Sequence, residues 1–138
     1  AYLIAQHQPD VLIDLATLTG SSVRTLGYEA GALFSHNDEL ANALETSGQT
    51  TGERLWRLPL WAEYGELMNS DLADIKNFSG RPIAGAITAA KFLEFFVAEH
   101  PAWAHLDIAG VAFGDTDYAK GKAATGYGVR LLIEFLRK

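Results

Sequence analysis

The sequence predicts an α/β fold, in which a mixed, mainly parallel sheet is flanked by helices. A short apolar run rich in branched residues, typical of a buried strand, occurs at residues 11–16, and further strand candidates occur at 31–35 and 103–109. Helical patterns separate them, so strands and helices alternate along the chain. Hydrophobic residues make up 49% and charged residues 20% of the 138 residues, a composition that favours a folded core over disorder.

The first elements lead to a polar turn. Residues 2–7 are predicted to be the end of a helix, which Pro9 terminates. Residues 11–16 then form a buried strand, and the polar residues 17–22 form a tight turn after it. Because ligands bind at the carboxyl ends of strands in such sheets, this turn is a candidate binding segment.

The middle of the chain continues the alternation. We expect a strand at 31–35, followed by a helix that Asn37 or Asp38 caps and that runs to about 47. A loop at 48–52 then leads to an extended segment at 55–59. A short helix at 61–68 and an ordered loop at 71–81 follow. The segment at 55–59 is extended because the residue before a proline avoids the helical region.

The last third contains the most apolar helix, predicted at 83–99 with Pro82 at its first position. Its apolar residues surround most of its circumference, which indicates a helix packed in the middle of a protein. A strand at 103–109, a polar loop at 114–126 and a helix at 127–136 complete the chain.

Composition excludes several classes of function. The net charge of −6 argues against nucleic acid or an anionic membrane as the main partner. The absence of cysteine excludes disulfides and a thiol nucleophile. No apolar run reaches membrane-spanning length, and the start of the chain has no signal-peptide pattern. Zinc-helix, phosphate-loop, dinucleotide and serine-nucleophile motifs are also absent from the sequence.

Six blocks in a fixed order carry a resemblance that spacing alone does not reveal. They are PDVLIDLATLTG at 9–20, LWRLPL at 55–60, SDLADIKN at 70–77, GAITAAKFL at 85–93, WAHLDIAG at 103–110 and ATGYGVR at 124–130. Together they resemble the C-terminal portion of the catalytic domain of leucyl (cytosol-type) aminopeptidases. The resemblance covers essentially the whole chain, residues 1–138, and implies an incomplete catalytic domain.

This resemblance implies an enzyme that removes N-terminal residues, often leucine, from peptides with the help of two divalent metal ions (Mn or Zn). It also implies a cytoplasmic homo-oligomer, typically a hexamer. The family's metal ligands lie upstream of the matching blocks, and the scattered acidic residues here do not replace them. We therefore expect no metal ligands and no catalytic residues in this segment, and no activity from the 138 residues alone.

The resemblance further implies a substrate-binding role for five residues. The main-chain groups of Leu18 and Gly20 would bond the peptide backbone, and Thr17, Ala109 and Ala112 would line the pocket for the N-terminal side chain. Ala112 is small where some relatives carry methionine, which would widen that pocket.

Several of the residues singled out here have a structural alternative. Thr17 and Thr19 can simply cap the turn, Gly20 can be a turn glycine and Ala109 can be core. His105 is predicted to be a structural histidine. The carboxylates of Asp14 and Asp107 are expected to pair with arginine or backbone amides, because buried charges need partners.

Two other functions remain open at this stage. A non-catalytic family member would keep the fold and serve in binding or assembly. An independent α/β binding module would be a stable monomer that binds no peptide.

Overall fold

A four-stranded sheet with helices on both faces organises the chain. The computed structural model describes residues 1–98 and 100–137. The helices are α1 (Tyr2–His7), α2 (Gly20–Leu26), α3 (Asp38–Thr51), α4 (Ala62–Glu66), α5 (Gly85–Val97) and α6 (Val129–Leu136). The strands are β1 (Leu12–Ala16), β2 (Gly31–Phe34), β3 (Leu55–Arg57), β4 (Trp103–Asp107), β5 (Phe113–Asp115) and β6 (Lys122–Ala124).

The strand order in the main sheet is β1-β4-β2-β3. β1 and β4 are parallel, as are β2 and β3, whereas β2 and β4 are antiparallel. β5 and β6 form a separate antiparallel pair. The structure therefore confirms the predicted α/β class with a mixed, mainly parallel sheet.

The two faces of the sheet pack against different helices. Because side chains alternate along a strand, Leu33 of β2 faces one way and Phe34 the other. Leu33 joins a core with Leu44 of α3 and Leu131 of α6. Phe34 packs on the opposite face, in a cluster that includes Ala90 of α5. Burial on both faces explains why β2 is a continuous apolar run.

Helix α2 was not predicted, because a turn was expected at 17–22. Thr19 is the N-cap of α2, and its side chain accepts a hydrogen bond from the Ser22 amide at 3.0 Å. The Ser22 hydroxyl donates to the Thr19 carbonyl at 2.8 Å. These reciprocal bonds turn the polar residues into a helix start, so the capping alternative holds for Thr19.

Helix α3 continues through Thr51 instead of giving way to the predicted loop at 48–52. The hydroxyls of Thr46, Thr50 and Thr51 each donate to the carbonyl four residues earlier, at 2.7, 3.0 and 2.9 Å. Their side chains thus bond within the helix and do not interrupt it.

Helix α5 begins at Gly85, so the prediction of Pro82 as its first residue is wrong. Ala84 precedes the helix with a left-handed φ of 49°, which separates it from the irregular segment before it. The predicted end at Glu99 lies outside the described residues. Ala86 and Ala90 are buried, whereas Phe95 and Phe96 are exposed, so α5 is not covered on all sides by the described part of this chain.

Three other boundaries differ from the predictions. The predicted polar loop at 114–126 contains most of the β5–β6 hairpin. The short helix α4 is shorter than the expected 61–68, and the last helix begins at Val129, after Gly128 with a left-handed φ of 96°.

None of the helices in the described part of the chain has the length and apolar character that crossing a bilayer requires.

A buried carboxylate holds the start of α6. Glu53 is 3% exposed and accepts hydrogen bonds from the amides of Gly128 at 3.1 Å and Leu131 at 2.8 Å. The Arg130 Nε also donates to it at 3.1 Å. Because the first amides of a helix have no partner within it, this distant carboxylate supplies one.

The neighbouring Tyr127 is held in the same region. Its hydroxyl donates to the Arg54 carbonyl and accepts from the Gly31 amide at 3.3 Å. Burial, and secondarily the charge of Glu53, raises the pKa of Tyr127 from 10.0 to about 12. The folded protein therefore keeps the phenol proton to higher pH than the unfolded chain does.

We expect this phenol to make the protein sensitive to alkali. Its stabilising contribution is complete below pH about 10 and is lost as the pH rises to about 12. The melting temperature of the full-length protein should fall more steeply over this range than that of Tyr127→Phe. Tyr118→Phe, at a 72% exposed tyrosine, should behave like the wild type. Equal slopes for all three proteins would contradict the prediction.

Candidate functional site

The turn after β1 lies at the carboxyl edge of two parallel strands. Ala16, the last residue of β1, is in register with Asp107, the last residue of β4. Residues 17–19 then lead directly into α2. This arrangement brings the turn next to the end of β4, the position at which open α/β sheets bind ligands.

The Asp107 carboxylate ties the turn to the segment after β4. Asp107 is 1% exposed, and its Oδ1 accepts from the amides of Leu18 at 3.1 Å, Thr19 at 3.4 Å and Ala109 at 3.2 Å. The Thr19 hydroxyl donates to Oδ2 at 2.7 Å. The predicted pairing of Asp107 with backbone amides is confirmed. One carboxylate thereby sets the relative position of two segments predicted to bind substrate.

Asp14 pairs with side chains and not with the predicted arginine or amides. Trp103 Nε1 donates to one of its carboxylate oxygens at 2.8 Å, and His105 Nδ1 lies 2.5 Å from the other. Asp14 and His105 are directly opposite in the β1–β4 register, which explains the pairing. His105 is fully buried and stacks on Phe34 with 5.8 Å between ring centroids. This packing supports a structural histidine, although its Nε2 has no partner in the described structure.

A cleft of about 320 Å³ opens beside the turn. Its lining residues are Leu18, Thr19, Gly20, Ser21, Arg24, Met68, Asn77, Phe78, Gly85, Thr88 and Ala89. The turn and α2 form one wall, and the start of α5 and the loop before it form the other. Asn77 and Phe78 were not predicted as site residues, because their loop has no periodicity that reveals where it packs.

The structure places the five predicted substrate-binding residues in two groups. Leu18 and Gly20 line the cleft, and the exposed Thr17 immediately precedes them. Ala109 and Ala112 are half-buried beyond Asp107 and outside the lining of this cleft. The Ala112 amide donates to the Ile108 carbonyl at 3.0 Å, and the Ala112 carbonyl accepts from Thr125 at 3.0 Å. Contact of these residues with a substrate stays a prediction.

The acidic and histidine side chains do not converge on a metal site. Across residues 1–98 and 100–137, no group of three or more His, Asp or Glu is arranged to hold a metal ion. The buried Asp107 carboxylate is satisfied by its backbone and hydroxyl donors, whereas the Asp14 side chain is 38% exposed and therefore not buried as expected. The described residues therefore do not fit the two-metal centre that the sequence resemblance implies.

Comparison with known proteins agrees with this geometry. Residues 1–133 match the family model of the cytosol aminopeptidase family, catalytic domain. The chain is 54% identical over 136 residues to a probable cytosol aminopeptidase of Chloroherpeton thalassium, covering 99% of this chain and 26% of that protein. It is 56% identical over 135 residues to a probable cytosol aminopeptidase of Geobacter sp. (strain M21), covering 96% of this chain and 27% of that protein.

Solved structures give the same result. A tomato leucine aminopeptidase mutant matches with a TM-score of 0.86 and 42% identity, over 97% of this chain and 26% of that one. The bottromycin maturation enzyme BotP in complex with Mn matches with a TM-score of 0.87 and 40% identity, over 99% of this chain and 31% of that one. This chain thus spans about a quarter of the length of each of these curated relatives. The fold, the turn at the sheet edge and the match over residues 1–133 together show that the chain belongs to the cytosol aminopeptidase family.

Proposed function

We propose that the full-length protein is a metal-dependent aminopeptidase that releases N-terminal residues from peptides, with a leucine-type preference. The observation that carries this proposal is the match of residues 1–133 to the catalytic domain of the family. The cleft beside Leu18 and Gly20 supports it, because a peptide backbone needs an open edge with accessible main-chain groups.

Within that enzyme, this segment binds the substrate. The Leu18 amide already donates to Asp107, so the Leu18 carbonyl is its main-chain group for a peptide N–H. The Gly20 amide, at the start of α2, is the donor for a peptide carbonyl. Thr17, Ala109 and Ala112 form the pocket for the N-terminal side chain. The small Ala112 makes this pocket wide and weakens its preference for leucine.

The metal ions belong to the rest of the protein. BotP, whose structure contains Mn, is a structural neighbour at 40% identity. We propose two divalent ions, Mn or Zn, bound by residues outside these 138, because the family's metal ligands lie upstream of the matching blocks. The 138 residues alone would then be inactive.

The decisive test is a metal-dependence assay of the full-length protein on leucine p-nitroanilide. We expect release of nitroaniline with Mn or Zn, its loss with a chelator and its recovery when metal is returned. N-acetyl-leucine p-nitroanilide, which has no free amine, is the matched control and should not be cleaved. A protein that shows no metal-dependent release would instead be a non-catalytic member of the family.

We also propose a cytoplasmic location and a homo-oligomer, a hexamer by the family pattern. The relatives' name, cytosol aminopeptidase, supports the location. Trp56 and Trp61, each 64% exposed in this chain, are aromatic side chains of the kind that interfaces bury. The mass of the full-length protein by light scattering tests the hexamer.

A further inference from the structure

Arg24 lies over the turn that lines the cleft. It is four residues after Gly20 in α2, so the two residues share one face of the helix. Helical side chains lean toward the N-terminus, and Gly20 has no side chain to obstruct Arg24. Arg24 Nη1 accordingly lies 3.8 Å from the position that a Cβ on Gly20 would occupy. The guanidinium therefore reaches the segment proposed to hold the peptide backbone.

Arg24 is the one charged residue among those that line the cleft in the described part of the chain. The other ten lining residues are uncharged. Arg54, Arg57 and Arg130 form ion pairs with Glu29, Asp38 and Glu53. Arg24, by contrast, has no ion pair or side-chain hydrogen bond in the described part of the chain. A free guanidinium beside a peptide-sized cleft is suited to bind a carboxylate, with which it forms paired N–H···O bonds.

The position of Arg24 indicates which part of the peptide it meets. Ala109 and Ala112, proposed to hold the N-terminal side chain, lie beyond Asp107 and outside this cleft. Arg24 and Asn77 line the cleft itself, together with Leu18 and Gly20. A peptide whose backbone is bound at Leu18 and Gly20 would extend its C-terminal part toward them.

We propose that Arg24 binds a carboxylate of the substrate on the C-terminal side of the scissile bond, so that the enzyme favours peptides with a negative charge there. This inference rests on the proposed aminopeptidase function. The carboxylate is either the C-terminus of a dipeptide or the side chain of an aspartate or glutamate after the scissile bond. A competing role is stabilisation of the C-terminal end of α2 by the positive charge.

The test compares substrates that differ only in this charge, with the full-length enzyme. Leucylglycine and its amide probe the terminal carboxylate, and leucylaspartate amide and leucylasparagine amide probe the side chain. Arg24→Gln should lower kcat/KM about fivefold more for the charged member of at least one pair than for its neutral member. Arg24→Lys should retain part of the preference, and added salt should reduce it.

Arg54→Gln is the matched control, because Arg54 is an exposed arginine that pairs with Glu29 away from the cleft. It should leave all four rates unchanged. A loss confined to one pair identifies the source of the carboxylate. If the ratio of kcat/KM for charged and neutral substrates is the same in wild type and Arg24→Gln, the inference about Arg24 is overturned, whether or not the melting temperature falls. The proposed aminopeptidase function would not be affected by that result. A wild type inactive on all four peptides would overturn the proposed function and this inference with it.

Discussion

Replacing Asp107 with alanine is expected to destabilise the full-length protein by about 3 kcal/mol or more and to remove most of the peptidase activity proposed for it. The carboxylate is buried and accepts from three amides and one hydroxyl. Alanine would remove the shared acceptor of four partly buried donors, and a donor that water cannot reach costs about 1–3 kcal/mol when it is left unpaired. The turn carrying Leu18 would also lose its connection to Ala109.

Two variants make this result specific. Asp107→Asn keeps the shape and one acceptor oxygen but replaces the other with a donor that faces the Thr19 hydroxyl. It should lose less stability than alanine while still lowering kcat/KM, because the turn shifts. Asp10→Ala, at an exposed aspartate, should leave both the melting temperature and kcat/KM unchanged. Wild-type stability and activity in Asp107→Ala would refute the role of this carboxylate.

Gly110→Ala should produce the second largest effect, a destabilisation of about 2–3 kcal/mol with weaker substrate binding. A Cβ at this position would overlap the carbonyl oxygen of Gly27. That oxygen belongs to the backbone, so no side-chain rotation can relieve the overlap. The segment carrying Ala109 and Ala112 must move, or the residues after α2 must move.

Gly114→Ala is the matched control for this substitution. A Cβ on Gly114 would meet only Thr125 Cγ2 at 4.0 Å, an ordinary contact. We expect a change within about 0.5 kcal/mol there. Urea unfolding gives the stabilities, and KM for leucine p-nitroanilide reports the pocket. Equal midpoints for the two variants would show that the Gly110 contact is not tight in solution.

The elements predicted best are those with local causes. β2 is a continuous apolar run because both sheet faces are covered there, and β1 and β4 are mainly apolar, so all three are visible along the chain. α2 was not predicted because several of its residues have weak intrinsic helix propensity, namely Gly20, Ser21, Ser22 and Thr25. Its start depends on Thr19, whose hydroxyl is itself bound to the distant Asp107.

The residues of the candidate site likewise include some that a local sequence motif reveals and others that only the tertiary packing reveals. Leu18 and Gly20 were predicted because the family motif is contiguous, and the structure places both in the cleft. Asn77 and Phe78 reach the same cleft from a loop of no regular pattern, so only the packing of α5 and its preceding loop shows their position. The guanidinium of Arg24 could not be placed either, since a helix was not expected there.

The sequence by itself determined the α/β class, the family resemblance and the chemical character of the turn after β1. These depend on short runs and on blocks in a fixed order. Only the tertiary structure decided the partners of the Asp14 and Asp107 carboxylates. Asp14 is separated from His105 by 91 residues, and Leu18 from Asp107 by 89, so no local pattern encodes either contact. The parallel pairing of β1 and β4 brings them together, because it aligns the carboxyl ends of strands that are distant in the chain.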